Sequence, residues 1–365
     1  MTVSHKRYTV ILVVTDSCNL HCKYCYEQFK SSCKMSLEDA LEIAEKELSD
    51  HPNEDVVFDI FGGEPFLAFD LIPRFCETLW ERHPDRNLHF SCITNGTLID
   101  DTIAGWLQRN SNRFFSHISL DGTPQMHYAN RGEKMPVETA KLFAKIWPNR
   151  ATAKMTVSKE TLGSLFEGVL YLNELGLRVA PSLARGLEWD DSDLDIYRRE
   201  LRHLVDYYSK NPDKEPIEMF QLYLRPVLLE EMREGYCGAG YSTCAYSPEG
   251  KKYPCHMFAP ISMDKALWDS VKYTDLRADK QFYSDKDCIK CCVRNLCKKC
   301  PGKNLIERGA IGNRDKNLCK FIMAEFSAVA RYKLNTLLQK PLETLSKLDY
   351  YELKAAKQLA EMIDI

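Results

Sequence analysis

Three cysteines stand within eight residues near the start of the chain, in the stretch TDSCNLHCKYCYEQF. Cys18, Cys22 and Cys25 have the spacing Cys-x3-Cys-x2-Cys. Three thiolates on one loop can hold three corners of a metal centre, whereas tetrahedral structural zinc requires a fourth ligand. A four-iron, four-sulfur cluster held by three cysteines would leave one iron open to a small molecule. The spacing therefore indicates either zinc with a ligand from elsewhere in the chain or an iron–sulfur cluster with one open iron.

A second group of cysteines lies in the C-terminal half. The stretch CIKCCVRNLCKKC has the pattern Cys-x2-Cys-x5-Cys-x2-Cys. The eight cysteines with structured spacing are Cys237, Cys244, Cys255, Cys288, Cys291, Cys297, Cys300 and Cys319. Eight thiolates suffice for two four-cysteine iron–sulfur clusters, and a pair of structural zinc sites is the alternative. The sequence therefore predicts metal binding in both halves of the chain.

The composition favours metal ligands over disulfides. The chain has 15 cysteines among 365 residues, and its N-terminus lacks the apolar core and cleavage site of a signal peptide. We therefore expect a cytoplasmic protein. No apolar run reaches the roughly 18 residues that a membrane helix needs. The net charge of −3, with Lys and Arg spread along the chain, gives no reason to expect a nucleic-acid partner.

Strands alternate with helices over the first 210 residues. Ser36 has the type and position of a helix N-cap, and Gly176 those of a glycine that ends a helix. The expected strands span residues 8–15, 56–61, 88–94, 114–120, 151–157 and 177–183. The expected helices span 36–50, 69–82, 100–109, 136–145, 161–176 and 191–209. Six strand–helix units predict an α/β fold with a parallel sheet curved into a partial (β/α)6 TIM-like barrel, whose chemistry lies at the C-terminal strand ends.

The pattern changes after residue 215. A hairpin is expected over 244–255, with its turn at Ser-Pro-Glu-Gly, residues 247–250. The chain reads as helical from 319 onward, with Pro341 between two helices. We therefore expect a barrel over 1–215, a cysteine-rich domain over 216–330 and a helical tail over 331–365.

The stretch CNLHCKYC resembles the signature of radical S-adenosylmethionine (SAM) enzymes, including an aromatic residue, Tyr24, before the third cysteine. In that family three cysteines at this spacing leave one iron for the methionine part of the cofactor. The resemblance implies that Cys18, Cys22 and Cys25 hold a [4Fe-4S] cluster. It also implies reductive cleavage of SAM to a 5′-deoxyadenosyl radical, which removes a hydrogen atom from the substrate.

Three further motifs follow successive predicted strands: GGEP at 62–65, TNGTL at 94–98 and SLDG at 119–122. Taken singly, such glycine pairs mostly mark turns. Their order matches the family, in which these regions lie beside SAM, and Arg131 matches a basic residue that could meet the cofactor carboxylate. The SAM-binding residues implied by the resemblance are Tyr24, Gly62, Gly63, Glu64, Pro65, Asn95, Ser119, Asp121 and Arg131.

The second cysteine group resembles the SPASM domain, an extension of radical SAM enzymes that carries two auxiliary [4Fe-4S] clusters. Gly250 also stands at the expected spacing before Cys255. The resemblance assigns Cys237, Cys244, Cys255 and Cys300 to the first auxiliary cluster, and Cys288, Cys291, Cys297 and Cys319 to the second. Here two residues, not the usual three, separate Cys297 from Cys300, so Cys292 stays an alternative to Cys300. The cofactors implied are three [4Fe-4S] clusters and SAM.

Four cysteines remain outside these groups. Cys76 falls in a predicted helix and Cys92 in a predicted strand, so we expect both to be small buried hydrophobic residues. Cys33 lies in a loop near the first cysteine group and has no assigned role.

Enzymes that resemble this architecture modify peptides or proteins, and three reactions compete. They are thioether or carbon–carbon cross-linking of a ribosomal peptide, formylglycine formation in a sulfatase, and epimerisation, for which Cys33 or Cys92 could donate hydrogen. Sulfatase-maturing relatives usually carry an aspartate after the hairpin cysteine, whereas this chain has His256. His256 is a weak candidate for a catalytic base, and it favours cross-linking. A non-catalytic iron–sulfur electron carrier is an alternative of another class, although a carrier needs no GGEP loop.

The resemblance also implies partners. The substrate is a peptide or protein, and a reductant such as flavodoxin or ferredoxin supplies electrons. Many cross-linking relatives begin with a winged-helix domain that binds the leader peptide, whereas this chain begins its first strand by residue 8. We therefore expect either a separate recognition protein or substrate binding by the barrel and the C-terminal region.

Overall fold

The computed structural model describes residues 7–229, 237–269 and 285–363. The strands are β1 Arg7–Thr15, β2 Asp55–Gly62, β3 His89–Thr94, β4 Phe114–Ser119, β5 Thr152–Val157, β6 Arg178–Leu183, β7 Thr243–Tyr246 and β8 Lys252–Tyr253. The first six α-helices are α1 Leu37–Asp50, α2 Leu71–Arg82, α3 Asp101–Arg109, α4 Pro124–Arg131, α5 Val137–Ile146 and α6 Leu165–Glu174. The others are α7 Asp191–Lys210, α8 Lys265–Asp269, α9 Lys286–Lys290, α10 Pro301–Arg308, α11 Lys316–Leu337 and α12 Lys347–Met362.

The six predicted strand–helix units are all present, so the expected α/β fold class is confirmed. Ser36 caps α1, since its hydroxyl accepts a hydrogen bond from the Asp39 N–H at 3.0 Å. Gly176 ends the α6 segment with φ +81°, a conformation that costs glycine little. Helix α4 was not expected from the sequence, because its residues PQMHYANR show no apolar periodicity.

The described chain divides into two compact units. The first comprises residues 7–120, 131–152 and 237–269, and the second comprises 121–130, 153–229 and 285–363. The predicted boundaries at 215 and 330 stay a prediction.

The first unit is built on a sheet with the strand order β4-β3-β2-β1-β7-β8. Strands β1 to β4 and β7 pair in parallel, and only β7 and β8 pair antiparallel. Residues 10–14 of β1 are all buried, as expected for a parallel strand covered on both faces. Because the C-terminal ends of parallel strands share one edge, the segments after β1, β2 and β3 meet there.

Aromatic side chains fill the layer between the sheet and its helices. Phe58 of β2 stacks on Phe90 of β3 with ring centroids 5.4 Å apart, and Phe75 of α2 meets Phe58 edge-on at 5.7 Å. Trp80 and Trp106 stack at 6.3 Å beside them. Each such buried side chain contributes about 1.5–3 kcal/mol. This layer gives the site at the strand ends a rigid support.

The hairpin predicted over 244–255 is present as β7 and β8, with its turn closed by a Gly250 N–H bond to the Ser247 carbonyl oxygen at 2.9 Å. Glu47 of α1 fixes the hairpin from one side. Its carboxylate is fully buried, accepts a hydrogen bond from the Tyr246 hydroxyl, and pairs with the Lys252 ammonium at 2.5 Å.

The second unit packs helix α7 against α11. Tyr197 and Phe321 lie 5.7 Å apart, and Phe220 stacks on Tyr332 at 4.9 Å. Glu352 of α12 accepts the Leu224 N–H at 2.9 Å. The helical tail and the break at Pro341 are as predicted. No helix in the described part of the chain combines the length and apolar character needed to cross a bilayer.

Candidate active site

The first three cysteines lie on a loop that leaves β1 and returns to it. We call residues 16–33 the cysteine loop. Its neck is closed by the Asp16 N–H, which donates to the Cys33 carbonyl oxygen at 3.1 Å, and by an antiparallel bridge between Thr15 and Lys34. The Met35 N–H then donates to the Val14 carbonyl oxygen at 2.9 Å. The loop is therefore anchored to the central strand at both ends.

Within the cysteine loop, the thiols of Cys18, Cys22 and Cys25 are half-buried. The Cys18 Sγ atom accepts the Leu20 N–H at 3.4 Å, and the Cys25 N–H donates to the Cys22 carbonyl oxygen at 3.1 Å. Burial raises the pKa of Cys18, although the Leu20 N–H and the Lys30 ammonium oppose this. The thiols thus have neighbouring donors and remain partly open, as metal ligands require.

Two cations flank the three thiols. Arg131, the last residue of α4, is 8% exposed, and its Nη1 atom lies 3.9 Å from the Cys22 Sγ atom. Its guanidinium carbon lies 5.6 Å from the ring centre of Tyr24. The Lys30 ammonium donates to the Leu20 carbonyl oxygen at 3.4 Å. Burial would lower its pKa, but Cys25, Cys18 and Glu27 raise it overall. Positive charge on two sides suits a thiolate-bound cluster.

The GGEP loop lies directly against the cysteine loop. A Cβ atom on Gly63 would come within 2.4 Å of the Ser17 carbonyl oxygen and 2.9 Å of the Cys18 Cβ atom. The Gly63 N–H donates to the Thr15 carbonyl oxygen at 3.0 Å, and the Glu64 N–H to the Ser17 carbonyl oxygen at 2.8 Å. Only glycine allows this approach of the two backbones. Pro65 follows and starts a short 3₁₀ turn, Pro65–Ala68.

Glu64 joins the GGEP loop to the TNGTL loop. Its carboxylate accepts the Thr94 hydroxyl at 2.7 Å, the Asn95 N–H at 2.8 Å and the Phe66 N–H at 3.2 Å. Burial raises the pKa of Glu64, while these donors and the Arg131 charge act in the opposite direction. A carboxylate with about four acceptor positions retains room for one more donor, such as an ammonium group.

Asn19 joins the cysteine loop to the TNGTL loop. Its carbonyl oxygen accepts the Asn95 side-chain amide at 2.9 Å, and its own amide donates to the Thr97 hydroxyl at 2.8 Å. Asn95 also accepts the Thr97 N–H at 2.9 Å. The first three motifs found in the sequence therefore form one hydrogen-bonded site at one edge of the sheet. Ser119 lies half-buried at the end of β4.

Asp121, the last residue expected near SAM from the SLDG motif, is fully buried in the second unit. Its carboxylate accepts the Thr156 N–H at 2.9 Å and the Asn130 amide at 3.3 Å. The Ser158 hydroxyl donates to the Asn130 carbonyl oxygen at 2.6 Å. These bonds give Asp121 a structural task in holding α4 to β5, and its contact with SAM stays a prediction.

His256, the residue after the hairpin cysteine, lies among aromatic side chains. Its ring centroid is 4.5 Å from that of Phe61 and 6.0 Å from that of Tyr26. Phe61 immediately precedes the GGEP loop, and Tyr26 immediately follows Cys25. His256 therefore lies beside the cysteine loop.

The four cysteines assigned to the second auxiliary cluster line one cavity of about 890 Å³ in the second unit. The Arg314 guanidinium donates to the Cys319 Sγ atom at 3.6 Å, and Lys299 lines the same cavity. Burial raises the pKa of Cys297 to about 12, against the Lys299 charge. Cys288, Cys291, Cys297 and Cys319 thus share one cavity, and their binding of a cluster stays a prediction.

Cys292 lines the same cavity, and a hydrogen bond from its thiol lowers the pKa of Cys291 to about 6. Cys300 caps helix α10, where its Sγ atom accepts the Lys303 N–H at 3.5 Å. The choice between Cys300 and Cys292 as a ligand of the first auxiliary cluster stays a prediction.

The other assigned cysteines of the first auxiliary cluster lie in and around the hairpin. Cys237 is exposed, Cys244 is buried on β7, and Cys255 is half-buried after β8. The Gly240 N–H donates to the Pro254 carbonyl oxygen at 3.1 Å, which holds the segment after Cys237 beside Cys255. By contrast, Cys76 and Cys92 are fully buried core residues, as predicted.

Lys30, Asn19 and Phe61 are site residues that the sequence reasoning missed. Asn19 lies inside the quoted CNLHCKYC motif, so its position was a usable signal. Lys30 and Phe61 belong to no motif, and only the folded loop shows their proximity to the thiols and to His256.

The comparisons with known proteins agree with this geometry. Residues 12–179 match the Radical SAM superfamily. The chain is 27% identical over 342 residues to a cysteine-type anaerobic sulfatase-maturating enzyme of Clostridium perfringens, covering 84% of this chain and 89% of that protein. It is 23% identical over 346 residues to the radical SAM cyclopropyl synthase TigE of Paramaledivibacter caminithermalis, covering 84% and 71% of the two chains.

The fold is similar to that of a solved structure, hexahistidine-tagged anSMEcpe with bound AdoMet. The TM-score is 0.72 at 19% identity, over 96% of this chain and 98% of that chain. This likeness supports the predicted fold class over nearly the whole chain. The three loop cysteines, the two flanking cations and the close-packed GGEP loop fit a [4Fe-4S] cluster and SAM, which are the cofactors the family implies. Residues 12–179 are thus a radical SAM domain.

Proposed function

We propose that this chain is a cytoplasmic radical SAM maturase, which modifies a residue of a peptide or protein. The observation that carries the proposal is the single hydrogen-bonded site formed by the cysteine, GGEP and TNGTL loops. A non-catalytic electron carrier has no use for a second loop that packs against the cysteines and places a buried carboxylate, Glu64, beside them. Two of the relatives are named as a cysteine-type anaerobic sulfatase-maturating enzyme and a radical SAM cyclopropyl synthase.

The residues of the site have distinct tasks in this proposal. Cys18, Cys22 and Cys25 hold the cluster, and Lys30 and Arg131 balance its charge. Glu64 offers its remaining acceptor position to the amino group of SAM, and Arg131 attracts the carboxylate. When bound, the cluster and SAM together supply a 5′-deoxyadenosyl radical that abstracts a hydrogen atom from the substrate.

The remaining assigned residues complete the SAM pocket. Gly62 and Gly63 let the GGEP loop pack on Thr15 and Ser17, and we propose that their backbone contacts SAM. Tyr24 covers SAM from the side of the cysteine loop. Pro65 fixes the exit of the GGEP loop. Asn95, Ser119 and Asp121 are proposed on the family resemblance alone, and each already lies at or just after the C-terminal end of its strand.

We further propose two auxiliary [4Fe-4S] clusters, which gives three clusters in all. Support comes from the shared cavity of Cys288, Cys291, Cys297 and Cys319, which Lys299 and Arg314 also line. Cys237, Cys244, Cys255 and Cys300 are proposed for the other cluster by their SPASM spacing. Such clusters would accept the electron that remains on the substrate after hydrogen abstraction. A flavodoxin or ferredoxin is the proposed reductant for the first cluster.

We propose cross-linking within a ribosomally made peptide as the reaction. Formation of a thioether or carbon–carbon bond removes two hydrogens from the substrate, one as an atom and one as a proton. His256 lies beside Phe61 and Tyr26 where it could accept that proton. Formylglycine formation in a sulfatase is the second candidate, because the match to the sulfatase maturase spans 84% of this chain. A separate leader-binding protein is a proposed partner for the first reaction only.

Product analysis separates the two reactions. The reconstituted enzyme is incubated with SAM and reductant, and with either a cysteine peptide from a sulfatase or a cysteine-rich precursor peptide. Cross-linking predicts a product lacking two hydrogens and unreactive towards a hydrazide probe. A thioether would also consume a free thiol, whereas a carbon–carbon bond would leave the thiols free. Hydrazide labelling of the sulfatase peptide would instead establish formylglycine formation.

The His256→Ala variant tests the proton-accepting role. It should still release 5′-deoxyadenosine, because cleavage of SAM does not need the base, but it should lose product. Full product yield from His256→Ala would remove His256 from the mechanism.

A further inference from the structure

Cys33, which no assigned cysteine group includes, lies beside two carboxylates in the first unit. Its Sγ atom, one carboxylate oxygen of Asp16 and one of Glu249 all lie within 4.8 Å of one another. Ligands of a single tetrahedral zinc ion are roughly 3.5 Å apart, given Zn–S and Zn–O distances of about 2.3 and 2.0 Å. Small side-chain rotations would therefore bring the three atoms around one ion.

Asp16 has an unsatisfied acceptor at this cluster. The residue is only 5% exposed, and its Oδ2 atom accepts the Ser31 hydroxyl at 2.9 Å. Its Oδ1 atom is buried and, among the residues that the structure describes, has no hydrogen-bond partner. A buried carboxylate oxygen without a donor is costly, and a bound cation would satisfy it.

The backbone around the three ligands is fixed before any ion binds. The Ser31 hydroxyl accepts the Cys33 N–H at 3.1 Å, and the Thr15 hydroxyl donates to the Cys33 carbonyl oxygen at 3.3 Å. Glu249 occupies the turn between β7 and β8, which Ser247 and Gly250 close. All three ligands thus lie on hydrogen-bonded backbone. The side chains of Cys33 and Glu249 are exposed, and that of Asp16 is buried.

The ligand types of Asp16, Cys33 and Glu249 indicate which metal ion they would bind. One thiolate with two carboxylates suits a borderline ion such as Zn²⁺, whereas Mg²⁺ and Ca²⁺ take oxygen ligands. We propose that Asp16, Cys33 and Glu249 bind one zinc ion, with water as the fourth ligand. Asp16 and Cys33 form the neck of the cysteine loop, and Glu249 lies on the hairpin. The ion therefore ties the base of the cysteine loop to the hairpin turn.

The zinc site is distinct from the iron–sulfur clusters, and its test does not depend on the maturase activity. The full chain is reconstituted with iron and sulfide so that the cluster cysteines are occupied. Zinc chloride is added, loosely bound metal is removed by gel filtration, and zinc and iron are counted. Zinc X-ray absorption then identifies the ligand atoms. The expected result is one zinc per chain with one sulfur neighbour.

Three variants complete the experiment. Cys33→Ser and Glu249→Gln should lose the zinc while keeping the wild-type iron content, which shows that they fold. Glu42→Gln, an exposed carboxylate on α1, should keep the zinc. Absence of zinc from the wild type, its retention in both site variants, or three or four sulfur neighbours per zinc would each overturn the proposal. The last result would place the zinc in an emptied cluster site.

Discussion

Arg131 interacts with three different parts of the site. Its guanidinium reaches the Cys22 Sγ atom, lies over the Tyr24 ring and lowers the pKa of Glu64 in opposition to burial. A planar group with several donors can satisfy all three neighbours at once, whereas an ammonium group is a single point of charge. The identity of this residue as arginine, and not only its charge, should therefore matter.

The Arg131→Lys variant should bind SAM about ten-fold or more weakly, because it loses charge-assisted contacts worth about 1.5–3 kcal/mol. Equilibrium binding of SAM to the reconstituted protein measures this. Arg150→Lys is the matched control, since Arg150 also lies over an aromatic ring, Phe115, at 5.1 Å. Equal affinities of Arg131→Lys and Arg150→Lys for SAM would remove Arg131 from the cofactor pocket.

For individual residues, the sequence predicted a place in the site only where the residue belongs to a recognisable motif. Cys18, Cys22, Cys25, Glu64 and Arg131 were all expected near one another, and the structure brings them together. Lys30 was not expected, because it approaches the thiols through the fold of its loop and belongs to no pattern. The roles of all these residues towards SAM stay predictions until binding is measured.

The elements that position the site are the GGEP loop and the cysteine loop, which touch through backbone atoms. This contact depends on Gly63, where a Cβ atom would lie 2.4 Å from the Ser17 carbonyl oxygen. The Ser17 backbone cannot move aside as the end of a flexible side chain can. A side chain at position 63 would therefore push the two loops apart.

The Gly63→Ala variant should therefore fail to retain the first cluster, losing about four irons per chain. Iron analysis after reconstitution and gel filtration measures the loss. Gly105→Ala in helix α3 is the control, because its Cβ would meet only the end of the Arg109 side chain at 3.2 Å. That change should keep all the iron. If Gly63→Ala also kept it, the close approach of the loops would not matter for cluster binding.

The packing of α7 on α11 gives a prediction about pH. The Glu325 carboxyl group accepts the Tyr197 hydroxyl at 3.0 Å, and burial raises the pKa of Glu325 in the folded state. The unfolded chain ionises near the ordinary value of 4.5. The contribution of Glu325 to stability is therefore fully present below that value and is lost as pH rises through the raised pKa of the folded state.

The Glu325→Gln variant keeps an acceptor for Tyr197 but does not ionise. Its melting temperature relative to the wild type should therefore rise as pH increases from about 4.5 towards the alkaline side. Calorimetry at several pH values tests this. A difference that is constant with pH would show that Glu325 remains ionised at no cost in the folded protein.

For the molecule as a whole, the alternation of apolar strands with amphipathic helices predicted the six units and their order. The strong apolar run of β1 and the caps at Ser36 and Gly176 gave clear local signals. The sequence did not predict helix α4, because this short polar helix, held by Asp121 and Asn130, has no periodic apolar face. The cavity around Cys288 and Cys319 also depends on contacts between distant segments, which no local pattern encodes.

The assignment of the cysteines to three [4Fe-4S] clusters predicts about twelve irons per chain. Iron and sulfide analysis of anaerobically reconstituted protein measures this. Cys319→Ser should retain about eight irons, because it removes a ligand of the second auxiliary cluster only. About four irons in the wild type would show that the C-terminal cysteines bind another metal, such as zinc.

The most direct test of the central claim is release of 5′-deoxyadenosine from SAM after chemical reduction of the reconstituted protein. The wild type should form it, and Cys22→Ala should not, because only two of the three assigned ligands, Cys18 and Cys25, remain to hold the first cluster. Iron retained by Cys22→Ala in the C-terminal cysteines would show that this variant is folded. No 5′-deoxyadenosine from a fully loaded wild type, or equal amounts from Cys22→Ala, would contradict the assignment of this site as a radical SAM centre.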